Sequence, residues 1–206
     1  MNASIGTADI GAMIADTDFV EITEADGVRI DIRCASTNNF LGRNLYGSFD
    51  RFLLHRIAAD KLLRAVDLLA AEKPGLRLLL LDGLRPNRIQ HVFWEAVRGT
   101  PQQIYVGDPE IGSIHGFGLA VDLSLVDEHG RELDMGTPFD GFTALVEPRL
   151  EAEFLASGAL SASQIDNRLL LRKVMTQAGF HVLPIEWWHF DALPSDQVRG
   201  RFSLIV

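Results

Sequence analysis

The stretch Leu76–Asp82, L-R-L-L-L-L-D, constrains the fold most. It has strand length, follows a Pro74-Gly75 stop and carries apolar residues without alternation, the pattern of a β-strand covered on both faces. Such a strand needs partners beside it and layers on either side. It also delivers Asp82 and Arg85 at its C-terminal end. Upstream, Asp50 to about Ala71 reads as a helix whose buried face carries Phe52, Leu53, Ile57, Leu62, Val66 and Leu69. Downstream, Pro86 suits the first turn of a helix carried by Ile89, Val92, Phe93 and Val97 and closed by Gly99.

The remaining elements complete the class. V-R-I-D-I-R-C-A-S from Val28 alternates as a strand does, and a second strand runs from about Leu119 to Val126, with a turn at Glu128 to Gly130. The segment F-T-A-L-V-E-P-R-L-E-A-E-F is ambiguous between helix and loop. Ser161 or Ser163 caps a last helix in which Ile165, Leu169, Leu170, Val174 and Met175 share a face, stopped by Gly179. F-H-V-L-P-I-E-W-W-H-F and R-F-S-L-I-V read as two closing strands. The expectation is an α+β fold: one domain over residues 1–206, a central antiparallel sheet flanked by helices, and an irregular N-terminal segment over 1–26.

Composition narrows the function. The 206 residues carry a formal charge of -9 and no Lys/Arg-rich run, which argues against a nucleic-acid partner because phosphate binding needs clustered cations. The acidic, interrupted N-terminus does not read as a signal peptide, and no apolar run is long enough to span a bilayer. A cytoplasmic protein with no membrane partner is expected. Cys34 is the single cysteine, so a metal site must be built from histidines and carboxylates.

Two segments offer such a site. In S-I-H-G-F-G-L-A-V-D, residues 113–122, Asp122 interrupts an apolar strand, where a carboxylate is costly unless paired or metal-bound, and Gly116 and Gly118 allow the backbone to turn so that His115 converges on it. In E-W-W-H, residues 186–189, an extended strand would point Glu186 and His189 to opposite faces, whereas a bend brings them together. The two tryptophans would wall the site from water. Two histidines and one carboxylate leave a fourth zinc position open, the arrangement of a catalytic site. Glu186 is then the spare carboxylate for proton transfer, and Arg85 can face a developing oxyanion. His55, His91, His129 and His181 lack a second ligand at a useful spacing.

These motifs, taken in order with D-G-L-R-P at 82–86, N-F at 39–40 and L-D-M-G-T-P-F-D at 133–140, resemble the D-alanyl-D-alanine dipeptidases, which share a fold with D,D-carboxypeptidases and the Hedgehog signalling domain. The resemblance covers about residues 28–190. It implies one Zn2+ held by His115, Asp122 and His189, general base and acid work by Glu186, and transition-state stabilisation by Arg85. It further implies a small dipeptide substrate touched by Ser113 and Asp140, with Asp140 meeting the free amino group. Two positions depart from the family pattern: Cys34 in C-A-S and Leu84 in the arginine turn stand where the family carries tyrosines. Cys34 is accordingly counted among the substrate contacts, and both changes leave the preferred dipeptide open. The competing readings are a D,D- or L,D-carboxypeptidase and a non-catalytic zinc module; retention of Glu186 and Arg85 favours an enzyme.

Overall fold

A computed structural model describes residues 18–206. Its principal elements are strands β1 (Phe19–Ile22), β2 (Arg29–Ile30) and β3 (Phe52–His55), helix α1 (Arg56–Glu72), β4 (Arg77–Asp82), α2 (Asn87–Val97), β5 (Ala120–Val126), α3 (Glu151–Ser157), α4 (Ala162–Ala178), β6 (His181–Val182), β7 (His189–Asp191) and α5 (Ser195–Val198). The central sheet runs β2-β4-β5-β7-β6, and β1 pairs with β3 in a separate ribbon. The mixed α+β class holds. Pairing is antiparallel except between β2 and β4, which are parallel.

The leucine run behaves as its lack of alternation requires. Leu78 and Leu80 join the main core, while Leu79 and Leu81 face the other way and form a smaller cluster with Val126 and Phe139. Helix α1 backs β4 and packs against α4. Among the described residues no helix is long and apolar enough to cross a membrane.

Several boundaries differ from the sequence reading. The segment to residue 26 contains β1, whose pairing with β3 gives it a defined place; residues 1–17 of that expected irregular segment lie outside the described residues. The helix expected from Asp50 starts at Arg56, because Phe52, Leu53 and Leu54 are all buried as a strand and the His55 ring accepts a hydrogen bond from the Ile57 amide at 3.2 Å, capping the helix there. The strand expected over 28–36 shortens to β2. Its continuation folds into a 3-10 turn at Arg33–Ala35, held by the Asn39 amide donating to the carbonyls of Arg33, Ser36 and Arg43.

Helix α4 begins at a capping box made by Ser161 and Gln164. That phase leaves Leu169 47% exposed and buries Leu171 instead. The ambiguous segment before it becomes two 3-10 turns and α3. The last residues, expected as a strand, form none, yet Ile205 accepts from the Asn87 amide at 2.7 Å and donates to the Gly116 carbonyl at 2.8 Å.

Candidate active site

Three neighbouring strands bring the charged residues into one row. Asp82 of β4 stands opposite Asp122 of β5, and Asp122 stands opposite His189 of β7. The β4–β5 register shifts between Leu80 and Asp82, and this irregularity sets the two aspartates side by side. His115 enters from the 3-10 turn Ile114–Phe117, which ends on Gly118 at φ 65. A side chain at 118 would meet the Phe19 ring at 2.8 Å and the His55 amide at 2.9 Å, so the tight approach of β1 and β3 requires glycine there. Gly83 is equally confined, since a Cβ would lie 2.8 Å from the Leu53 carbonyl. Its own carbonyl then receives the His115 ring.

The bend expected between Glu186 and His189 is present: Glu186 lies before β7 and His189 is its first residue. The two rings and the carboxylate crowd together. His115 Nε2 lies 3.1 Å from His189 Nδ1 and 3.2 Å from Asp122 Oδ2, and His189 Nδ1 lies 3.0 Å from Asp122 Oδ1. The other ring nitrogens fix the tautomers. His115 Nδ1 lies 2.8 Å from the Gly83 carbonyl, which only accepts, so Nδ1 carries the hydrogen. His189 Nε2 lies 2.9 Å from Asp191 Oδ1 and donates to it. With both rings neutral, His115 Nε2 and His189 Nδ1 present lone pairs to each other and to a carboxylate, an arrangement that a shared metal ion stabilises.

A metal ion fits this set. Donors held roughly 2.0–2.1 Å from a tetrahedral ion stand about 3.3 Å apart, close to the separations seen. Gly83 and Asp191 are the outer partners that orient the two rings. The electrostatics favour a positive charge at this point, carried by a proton on His189 when no ion is bound. Burial alone would raise the Asp122 carboxyl, but His115 and His189 hold it far below the usual range. Burial alone would lower the His189 ring, but Asp191 and Asp122 hold it well above.

These groups open onto a cavity of about 270 Å³. Glu186, 6% exposed, lines it with a carboxylate oxygen 4.0 Å from His189 Nδ1. Burial, reinforced by Asp122 and Asp140 and opposed by His189 and Arg85, pushes its carboxyl up to about 8. Arg85 is locked in place: Nε donates to Asp82 at 2.7 Å, Nη2 to Asp122 at 3.1 Å and Nη1 to Gln90 at 3.1 Å, with the guanidinium 4.7 Å from the centre of the Phe93 ring. Ser113 and Asp140 also line the cavity. Asp140 has a positive φ of 57, and its buried Oδ2 has no hydrogen-bond partner. Burial foremost, with Asp122 and Asp82 adding to it and Arg85 opposing, pushes this carboxyl up to about 8.

Two expected features fall elsewhere. Cys34 is not on the cavity wall: it is buried behind it, Sγ 3.7 Å from Asp82 Oδ2, because the turn at Arg33–Ala35 draws it under the end of β4. Only Trp188 of the tryptophan pair lines the cavity; Trp187 turns away and donates its indole N–H to Thr137 at 2.8 Å. The sequence reading missed Asp191, Gln90, Tyr105, Phe142 and Arg199. Asp191 alone had a local signal, since it lies two residues after His189 on the same face of a strand.

The family model described as D-ala-D-ala dipeptidase, peptidase M15, matches residues 16–204. The D-alanyl-D-alanine dipeptidase of Escherichia coli strain K12 is 37% identical over 164 residues, covering 80% of this chain and 78% of that one. Its namesake from Enterococcus faecium is 31% identical over 181 residues, covering 80% of this chain and 85% of that one. That from Enterococcus faecalis is 29% identical over 196 residues, covering 87% and 93%. With the match spanning nearly the whole chain and a His-Asp-His donor set at its centre, the chain belongs to the D-ala-D-ala dipeptidase family of metallopeptidases, peptidase M15.

Proposed function

We propose that the chain is a zinc dipeptidase acting in the cytoplasm, with D-alanyl-D-alanine its first candidate substrate, on a single Hedgehog/D,D-peptidase-like domain. The observation that carries this reading is the convergence of the His115, Asp122 and His189 lone pairs on the same small cavity that Glu186 and Arg85 line. Two imidazoles and one carboxylate suit zinc better than magnesium or calcium, which favour all-oxygen sites. When bound, the ion supplies Lewis acidity that polarises the scissile carbonyl and acidifies water.

The protein's own residues do the rest. Glu186 sits at the ligand cluster without being part of it, placed to accept a proton from the attacking water and pass it to the leaving amine. Arg85, held by two carboxylates and a carboxamide, presents a guanidinium that needs no reorganisation as the carbonyl oxygen gains charge. The unpartnered Asp140 oxygen is an acceptor for the substrate ammonium, and Ser113 offers a hydroxyl to the same substrate. Trp188 excludes water on one side. A cavity smaller than the roughly 300–1,000 Å³ common for drug-sized ligands suits a dipeptide rather than a peptidoglycan stem.

The test combines metal analysis with a screen of D,D-, L,D- and L,L-dipeptides and N-acylated or longer peptides. Glu186→Ala is expected to keep zinc and lose at least about 100-fold in kcat, and His115→Ala to lose both zinc and turnover. Efficient cleavage of N-acylated substrates, or normal turnover by the Glu186 variant, overturns the assignment.

A further inference from the structure

A dipeptide is a zwitterion, and the site described so far accounts for only one of its ends. Asp122, Asp140, Glu186 and Asp191 make the cavity wall predominantly acidic. Arg85 cannot balance a third carboxylate cheaply, because its Nε, Nη1 and Nη2 are already engaged by Asp82, Gln90 and Asp122. One other arginine lines the cavity. Arg199, at the C-terminal end of α5, donates through Nη2 to the Gly112 carbonyl at 3.1 Å, and among the described residues no carboxylate pairs with it. Gly112 directly precedes Ser113, and Ser113 and Ser195, the latter four residues before Arg199 in the sequence, line the same cavity.

We propose that Arg199, tethered to the Gly112 carbonyl on the cavity that Ser113 and Ser195 also line, is the specificity residue that binds the C-terminal carboxylate of the dipeptide and confines the enzyme to substrates ending one residue beyond the scissile bond. A guanidinium with one nitrogen already fixed to a carbonyl is partly ordered before substrate arrives, and its remaining N–H groups match the planar fork of a carboxylate. The exposed position suits the role: the residue meets the substrate at the mouth, while Arg85 acts deeper in. This inference rests on the dipeptidase reading.

The experiment compares steady-state kinetics on D-alanyl-D-alanine and on its C-terminal amide for the zinc-loaded wild type, Arg199→Gln and Arg199→Lys. Loss of a charge-assisted contact predicts a rise in KM for the free acid of about 10- to 100-fold in Arg199→Gln, with kcat changed by less than about threefold. The acid-over-amide preference in kcat/KM is expected to fall by at least about tenfold, and Arg199→Lys to restore part of it. An unchanged acid-over-amide ratio in Arg199→Gln overturns the proposal, whether the variant is fully active or equally weakened on both substrates. If the wild type cleaves neither substrate, the dipeptidase reading itself has failed and this inference falls with it.

Discussion

Four groups meet at the Asp82 carboxylate, which is fully buried and does not line the cavity: the Tyr46 hydroxyl at 2.7 Å, the Gly83 amide at 3.0 Å, Arg85 Nε at 2.7 Å and the Cys34 thiol at 3.7 Å. Asp82→Asn leaves the Arg85 charge half-compensated in a dry interior, so a loss of about 3–5 kcal/mol in denaturant unfolding is expected, with kcat reduced and zinc content kept. Tyr46→Phe removes one hydrogen bond to a charged group and should cost less, about 1.5–3 kcal/mol in the same measurement. Asp140 carries its own pH signature in the metal-free protein. Its folded pKa of about 8 lies above the ordinary value of 3.8, so folding favours the protonated form and stability falls as pH rises between the two. The groups that act on it are Arg85, Asp122, Asp82 and the backbone of Phe40. Asp140→Asn, which cannot ionise, is expected to raise the unfolding midpoint more at pH 8 than at pH 5; an equal gain at both would refute the cause given. At this scale the sequence was most informative where the chemistry is local. His115 with Asp122, and Glu186 with His189, sit in short motifs whose apolar surroundings make the charge conspicuous. Tyr105, Phe142 and Arg199 reach the cavity from distant loops and carry no such contrast.

The row Asp82–Asp122–His189 shows why the elements matter more than their lengths. Three strands of six, seven and three residues place these side chains next to each other; the first two were legible in sequence as runs of apolar residues, and the third only as part of a longer closing strand that the structure divides into β6 and β7. β7 is too short to show a period. β3 was hidden for a different reason: its three consecutive apolar residues continue smoothly into the helical pattern of α1, and only the cap formed by His55 marks the join. Gly118→Ala tests the link between β3 and the site. A non-glycine residue at φ 65 costs about 1–2 kcal/mol by itself, and the clash with the Phe19 ring and His55 amide adds to it. The expected result is a destabilised protein with weakened zinc affinity, because the turn carrying His115 must shift. Ser161→Ala, which breaks the cap of α4 far from the cavity, should cost about 1 kcal/mol in stability and leave zinc affinity unaltered.

For the whole molecule, the ligand cluster ties together parts of the chain that are 74 residues apart, His115 to His189, inside a continuous apolar core. An ion that binds only the folded chain adds stability by mass action, about 4 kcal/mol when free zinc stands at 1,000 times its dissociation constant. Chelation should therefore lower the thermal midpoint and zinc should restore it, whereas a midpoint indifferent to chelator would show that no ion binds there. The α+β class and the doubly covered β4 were readable because burial on both faces leaves a plain mark in sequence. The parallel placement of β2 was not, since two paired residues carry too little pattern to fix direction.

The division of labour between sheet and loops has a further consequence. The donors and their outer partners sit on or beside the central strands, where any change disturbs the packing of the interior. Much of the remaining wall, from Tyr105, Phe142, Leu183 and Arg199, hangs on connecting segments at the margin. Replacement there can redraw which small molecule fits without touching what breaks it, so descendants of such a chain are free to exchange one diet for another while keeping the same blade.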